Sequence, residues 1–211
     1  MSDWLKWHED YDDPKSHLAR RLAVVQREIS TFLDGARPGP IRVVAMCAGA
    51  GRDLLGVLDR HVRASDVSGR LVELDPRLVA RARRSAPVGL DVVEADAGIS
   101  DSYEGACPAD LVMTCGVFGN VTEEDIRATI ASWRFLLARG GTVIWTRGAT
   151  PGTDLRPLVR AWVQEAGFVE VAFHGELPPS DGVGVAKLIV EPELFRRGVT
   201  MFRFRSWEPT A

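Results

Sequence analysis

Apolar residues in this chain fall in short bursts separated by glycine, proline and charge. Apolar-rich runs at 41–46, 70–74, 90–95, 109–115, 141–147, 168–173 and 184–191 predict buried strands. Between them, segments 52–60, 76–85, 123–138 and 153–166 predict helices. Ahead of the first strand, Ser16 caps a helix carried by Leu18, Leu22, Val25, Ile29 and Phe32, which Gly35 and Pro38-Gly39-Pro40 end. Strands alternating with helices predict an α/β three-layer sandwich, a mostly parallel sheet of seven strands covered on both faces. The Pro178-Pro179 loop is too short for another crossover helix, so the last strand is expected to return antiparallel.

Ligands of such sheets bind outside the carboxyl ends of the strands, where the strand order reverses. The first strand, Val43-Val44-Ala45-Met46, breaks into Cys47-Ala48-Gly49-Ala50-Gly51-Arg52-Asp53 and opens a helix. Glycine at 49 and 51 allows the backbone to approach a ligand with no Cβ between them. Glu73 follows Gly51 by 22 residues, at the tip of the second strand, where an acid meets a ribose diol. Turn and acid together imply a nucleoside-containing cofactor. A dinucleotide turn requires Gly-x-Gly-x-x-Gly, and Leu54 stands at its third glycine. No Gly-Lys-Ser/Thr triplet supports a triphosphate cradle.

With these residues in place the chain resembles the class I S-adenosylmethionine (SAM) dependent methyltransferases, over roughly residues 16–191. Cys47-Ala48-Gly49-Ala50-Gly51 matches their first motif and Glu73 their second acid; Ala45 stands where the family carries an acid, and Cys47 replaces the first glycine. The resemblance implies a Rossmann-like sheet and SAM as cofactor. It places Cys47, Ala48, Gly49 and Gly51 beside the amino-acid end, Asp53 at its ammonium, Glu73 with Leu74 at the ribose, and Asp96 with Ala97 at the adenine. Cys115 and Gly116, after the fourth strand, would run beside the sulfur and the incoming substrate. The residues alone leave Asp96 open to being a solvated loop aspartate, and Asp75 with Pro76 to being a simple helix start.

Composition narrows the partners. A formal net charge of -3 gives no electrostatic footprint for nucleic acid or an anionic membrane, and no apolar run approaches spanning length. The polar, acidic start, Met1-Ser2-Asp3-Trp4, is unlike a secretory signal. Cys47, Cys107 and Cys115 form no Cys-x-x-Cys pair, which fits a reducing cytoplasm and argues against a metal site or disulfides. Cys47 and Cys115 read as buried fillers rather than nucleophiles. Twenty-three arginines against three lysines suggest a GC-rich bacterial genome. The expected substrate is a small molecule methylated on oxygen or nitrogen; the alternative is a protein of the same fold that binds SAM without methylating, as a cyclase, rearrangement catalyst or regulator.

Residues 1–15 are expected to form an arm that closes over the substrate, with His8, Tyr11 and Asp12 as lid candidates and His8 or Tyr11 as base; packing of an amphipathic terminus is the alternative. In Cys115-Gly116-Val117-Phe118-Gly119-Asn120-Val121, Asn120 either orients a nucleophile or forms a turn before the helix that Thr122 and Asp125 cap. Trp145 and Arg147 end the fifth strand, one expected to face helices and the other the cleft rim. His174 reads as a surface histidine, and His17 and His61 carry no pattern. The acceptor pocket is expected between the arm, the 116–120 loop and the 175–184 loop, whose few charges point to a moderately apolar acceptor. Residues 192–211 form an extension in which Met201-Phe202-Arg203-Phe204-Arg205 alternates as an edge strand does. Oligomeric state is left open.

Overall fold

The computed structural model describes residues 11, 13, 15–149, 152–177 and 181–205. Seven strands form one sheet: β1 (Ile41–Met46), β2 (Val67–Glu73), β3 (Leu90–Glu94), β4 (Ala109–Thr114), β5 (Leu137–Gly148), β6 (Phe168–Leu177) and β7 (Asp181–Leu188), in the order β3-β2-β1-β4-β5-β7-β6. The pairs among β1 to β5 are parallel, and β7 inserts antiparallel between β5 and β6. Helices α1 (His17–Gly35), α2 (Arg52–Leu58), α3 (Pro76–Ser85), α4 (Glu123–Leu136) and α5 (Arg156–Glu165) cover the two faces. The three-layer α/β architecture read from the alternation of strands and helices is the one observed, with its last strand antiparallel.

Alternation along β1 divides the core. Val43 and Ala45 join Ile29, Leu33, Leu54 and Leu71 on the face of α1 to α3. Val44 and Met46 join Trp133, Trp145, Val159 and Phe168 on the face of α4 and α5. Each large apolar side chain fully buried there contributes roughly 1.5–3 kcal/mol. On the second face the Trp133 ring meets Phe118 and Phe168, each with centroids 5.8 Å away. Beneath them a buried relay, Trp133 Nε1–H to Thr114 Oγ1 at 3.1 Å and Thr114 Oγ1–H to Met46 Sδ at 3.4 Å, satisfies the polar groups.

The differences from the sequence reading have physical causes. On α1 the buried stripe is Leu18, Arg21, Val24, Val25, Ile29 and Leu33, turned from the expected one so that an arginine takes the place of Leu22. α5 starts at Arg156, not 153, because Pro157 sits in its first turn and the Asp154 carboxylate accepts from the Arg156 N–H at 3.0 Å. β5 begins directly after α4, and its pairing with β4 shifts register between Ala109 and Leu111, which the apolar pattern does not signal. The tail is not an edge strand. Met201 and Phe202 are both buried, which adjacent strand residues on opposite faces of an edge would not be. The tail instead docks on the segment after β3. Met201 N–H donates to Gly98 O at 2.7 Å and Ser100 N–H to Val199 O at 3.0 Å, and Ile99 and Thr200 form an isolated antiparallel bridge. A Cβ on Gly98 would stand 2.2 Å from Phe202 O, so this docking requires glycine. Among the described residues, no helix is long and apolar enough to cross a membrane.

Candidate functional site

The tips of β1, β2 and β3 are in register, Met46 beside Val72 and Glu73 beside Glu94, so the segments that follow them open onto one edge of the sheet. The glycine turn is folded against the second strand. Ala48 N–H donates to Val72 O at 2.9 Å, Gly51 N–H to Ala48 O at 2.8 Å, and Gly49 N–H to Glu73 Oε2 at 2.8 Å. Cys47, Gly49 and Gly51 have φ of 49, 56 and 75°. Glycine adopts this left-handed backbone freely; at Cys47 it costs roughly 1–2 kcal/mol. Cys47 thus holds a backbone conformation that glycine favours, and strain of this kind gathers at ligand sites.

Glu73 is half-buried, and its Oε1 accepts from the Leu74 and Asp75 N–H groups at 2.8 and 2.9 Å. Three backbone donors thus fix the carboxylate. Leu74 beside it is 66% exposed. One strand further, Asp96 Oδ1 accepts from Gly98 N–H at 2.8 Å, and its backbone carbonyl accepts from Ser102 Oγ at 2.6 Å. The buried Tyr103 hydroxyl donates to Ala97 O at 2.7 Å. Ala95 N–H, bonded to Glu73 O at 3.0 Å, ties this loop to the acid. Asp75 is the side-chain cap of α3, the structural alternative for that residue.

At the other end of the turn, Asp53 and Cys115 line a small cleft with Ala48, Gly51, Leu71 and Met113. Burial raises the Asp53 carboxyl above its ordinary value, while the charge of Arg21 and the neighbouring Cys115 thiol pull the other way. Burial also drives the thiols of Cys47 and Cys115 well up, helped by Glu73 and by Asp53 respectively, so both stay protonated fillers.

Arg21 links this cleft to the far side of the sheet. Its Nη2–H donates to Tyr11 Oη at 3.1 Å, and its Nη1 lies 3.9 Å from Asp181 Oδ1. Asp181 is buried, and its Oδ2 is 3.0 Å from His17 Nδ1. Burial, followed by the charge of Asp53, pushes the Tyr11 phenol up to about 12. A phenol held protonated, whose oxygen already accepts from Arg21, is poorly suited to remove a proton. His8 and Asp12 lie outside the described residues.

The loop after β4 is closed on itself. Asn120 Nδ2–H donates to Gly116 O at 2.8 Å, and Asn120 N–H to Val117 O at 2.9 Å; the side chain holds the loop rather than an acceptor. Gly116 N–H donates to Thr146 Oγ1 at 2.8 Å, and Thr122 with Asp125 forms the expected capping box. Trp145 and Arg147 lie two residues apart on one strand and so share a face, contrary to the expectation of opposite ones. Trp145 is buried, and Arg147, at the strand end, is half-buried. His174 Nε2 meets Glu28 Oε1 at 2.9 Å and ties β6 to α1. Arg21, His17, Asp181 and Tyr103 were absent from the site read in the sequence. Only Arg21 carried a signal there, a charge three residues after Leu18 and four before Val25 on the apolar stripe.

No protein-family model matches the chain, and no curated protein matches its sequence. Solved structures do resemble it. The magnesium protoporphyrin IX methyltransferase of Synechocystis PCC 6803 with bound SAM is 12% identical, covers 89% of this chain and 91% of its own, and superposes with a TM-score of 0.67. A TehB-like SAM-dependent methyltransferase from Corynebacterium glutamicum is 18% identical over 78% of this chain and 86% of its own, with a TM-score of 0.57. An O-methyltransferase family protein from Burkholderia thailandensis is 16% identical over 85% and 61%, with a TM-score of 0.59. The chain has the α/β fold of the class I SAM-dependent methyltransferases.

Proposed function

We propose that this protein is a SAM-dependent methyltransferase acting on an oxygen or nitrogen of a small molecule, in the reducing cytoplasm of a bacterium. The observation that carries the reading is the bond from Gly49 N–H to Glu73 at 2.8 Å, which locks the glycine turn and the ribose-facing acid into one cradle. The remaining groups fit the same ligand. A carboxylate offers about four acceptor sites; three are taken on Glu73, which leaves one for a ribose hydroxyl. The exposed Leu74 offers an apolar surface to a planar base, and Asp96 with Ala97 borders it. Asp53 is a half-buried carboxyl whose charged form is disfavoured by desolvation, and an ammonium group beside it would offset part of that cost.

SAM, when bound, supplies an electrophilic sulfonium methyl and leaves as S-adenosylhomocysteine. The chain's task is then to align the acceptor in line with that methyl and to exclude water. The cofactor cradle occupies the tips of β1 to β3, so the acceptor comes from beyond β4, over Cys115, Gly116, the end of β5 and the start of β7. Where the acceptor carries a proton, His17 is the base. With Nδ1–H donated to the buried Asp181, its imidazole is fixed in one tautomer and Nε2 is left to accept the proton.

Titration calorimetry with S-adenosylhomocysteine and with NAD tests the cofactor: the homocysteine product binds and NAD does not, and the reverse result would overturn the reading. Incubation with labelled SAM and a metabolite panel, followed by mass spectrometry, reads methyl gain directly. Once an acceptor is in hand, His17→Gln should lower kcat by about 100-fold or more. An unchanged kcat removes His17 from the chemistry.

A further inference from the structure

Arg147 ends β5 with its Nε buried and without a hydrogen-bond acceptor. An arginine presents five donors in a rigid fork, and a buried one left unmade is costly. The guanidinium sits against the loop that follows β4: a Cβ on Gly119 would lie 3.6 Å from Arg147 Nη1. Arg205 is brought to the same loop, its backbone N–H donating to Asn120 O at 2.8 Å. Its positive charge adds to burial in holding the Arg147 guanidinium below its ordinary pKa.

The acidic groups nearby do not neutralise the pair. Asp154 is held through both of its oxygens by Arg156, at 2.8 and 2.7 Å, and Glu123 is an exposed residue in the first turn of α4. Among the described residues, neither Arg147 nor Arg205 has a carboxylate within the 4.0 Å of an ion pair. Two like charges converge, one with a buried unmade donor, at the rim where the loop after β4 meets the end of β5. The arrangement is unfavourable in the protein by itself and becomes favourable when an oxyanion bridges the two forks.

We propose that Arg147 and Arg205 form an oxyanion site on the acceptor side of the cleft, so that the methyl acceptor carries a carboxylate or a phosphate. The assignment to the acceptor rests on the methyltransferase reading; the anion site itself does not. It replaces the moderately apolar acceptor expected from the 175–184 loop with one whose charged end is held at the 116–120 loop.

The test is titration calorimetry of benzoate, inorganic phosphate and neutral benzamide into the protein saturated with S-adenosylhomocysteine, using wild type, Arg147→Gln and Arg205→Gln. Benzoate or phosphate is expected to bind saturably, weaken as salt is raised, and lose at least tenfold in affinity in each variant, while benzamide does not bind. The homocysteine product should bind all three proteins alike. Absence of anion binding in the wild type, or affinity within twofold of it in both variants, overturns the site. If Arg147→Gln does not fold, Arg147→Lys keeps the charge and loses the fork, and the same tenfold loss is required of it and of Arg205→Gln. Anion binding without homocysteine binding supports the site and sinks the cofactor reading; the opposite pattern sinks the site alone.

Discussion

Replacing Glu73 separates its two roles, holding the turn and holding a ligand. Its carboxylate accepts from the N–H groups of Gly49, Leu74 and Asp75 at 2.8, 2.8 and 2.9 Å. With about four acceptor sites on a carboxylate, one remains for a ribose hydroxyl. A hydrogen bond to a charged group contributes roughly 1.5–3 kcal/mol, so Glu73→Ala should weaken S-adenosylhomocysteine binding by about 10- to 150-fold. The same change strips the buried Gly49 N–H of its acceptor, at a further cost of roughly 1–3 kcal/mol to folding. Glu73→Gln keeps the shape but turns one oxygen into a donor, so it must set an N–H against Gly49 or against the Leu74–Asp75 pair. It should therefore lose stability as well as affinity. Calorimetry at a temperature where urea denaturation shows each variant folded keeps the two effects apart. A folded Glu73→Ala that binds within twofold of wild type would show that the bond to Gly49 is merely structural and that the ribose site lies elsewhere.

Three further outcomes are expected. Tyr11 titrates near 10 when unfolded and at about 12 in the fold, so its contribution is complete below pH 10 and is lost as pH rises toward 12. In alkaline urea titrations Tyr11→Phe should lose less stability over that interval than wild type; identical losses would show that the phenol is not buried against Asp53. Cys47→Gly exchanges roughly 1–2 kcal/mol of left-handed strain for a glycine entropy cost of roughly 0.5–1 kcal/mol, so its stability in urea denaturation should change by no more than about 1.5 kcal/mol. Cys47→Val should instead destabilise by at least that strain, and the ranking fails if the glycine variant is the weaker. Gly98→Ala drives a Cβ to 2.2 Å from Phe202 O and should release Met201 and Phe202, costing roughly 3 kcal/mol or more and exposing the tail to protease. Gly105→Ala, with nothing within 4 Å and φ +79°, should cost only about 1 kcal/mol.

What the sequence disclosed follows from how far apart in the chain the decisive contacts lie. Strands buried on both faces, such as Ile41–Met46 and Ala109–Thr114, write their burial into consecutive residues. The proposed cofactor cradle is nearly as local: Gly49 and Glu73 are 24 residues apart, and a strand and a turn of fixed geometry bring them together. The rest required pairings that no period encodes. His17 and Asp181 are 164 residues apart, and they meet because β7 inserts between β5 and β6 and presents its first residue to α1. The tail alternated as a strand does, yet contact with Gly98, not the pleat, decides which of its side chains are buried.

The two halves of the site differ in kind for the same reason. The proposed cofactor half is made of backbone: N–H groups fixed on Glu73 and a left-handed turn, which tolerate a changed residue such as Cys47 provided the chain keeps its path. The proposed acceptor half draws on side chains from separate elements, Arg147 on β5, Arg205 in the tail, and His17 with Asp181 bridging α1 and β7. A single substitution there changes charge or hydrogen bonding without disturbing the sheet. Acceptor specificity can therefore shift while the fold persists. The substrate is accordingly to be sought through Arg147, Arg205 and His17, because the cradle around Glu73 constrains only the ligand that every such acceptor would share.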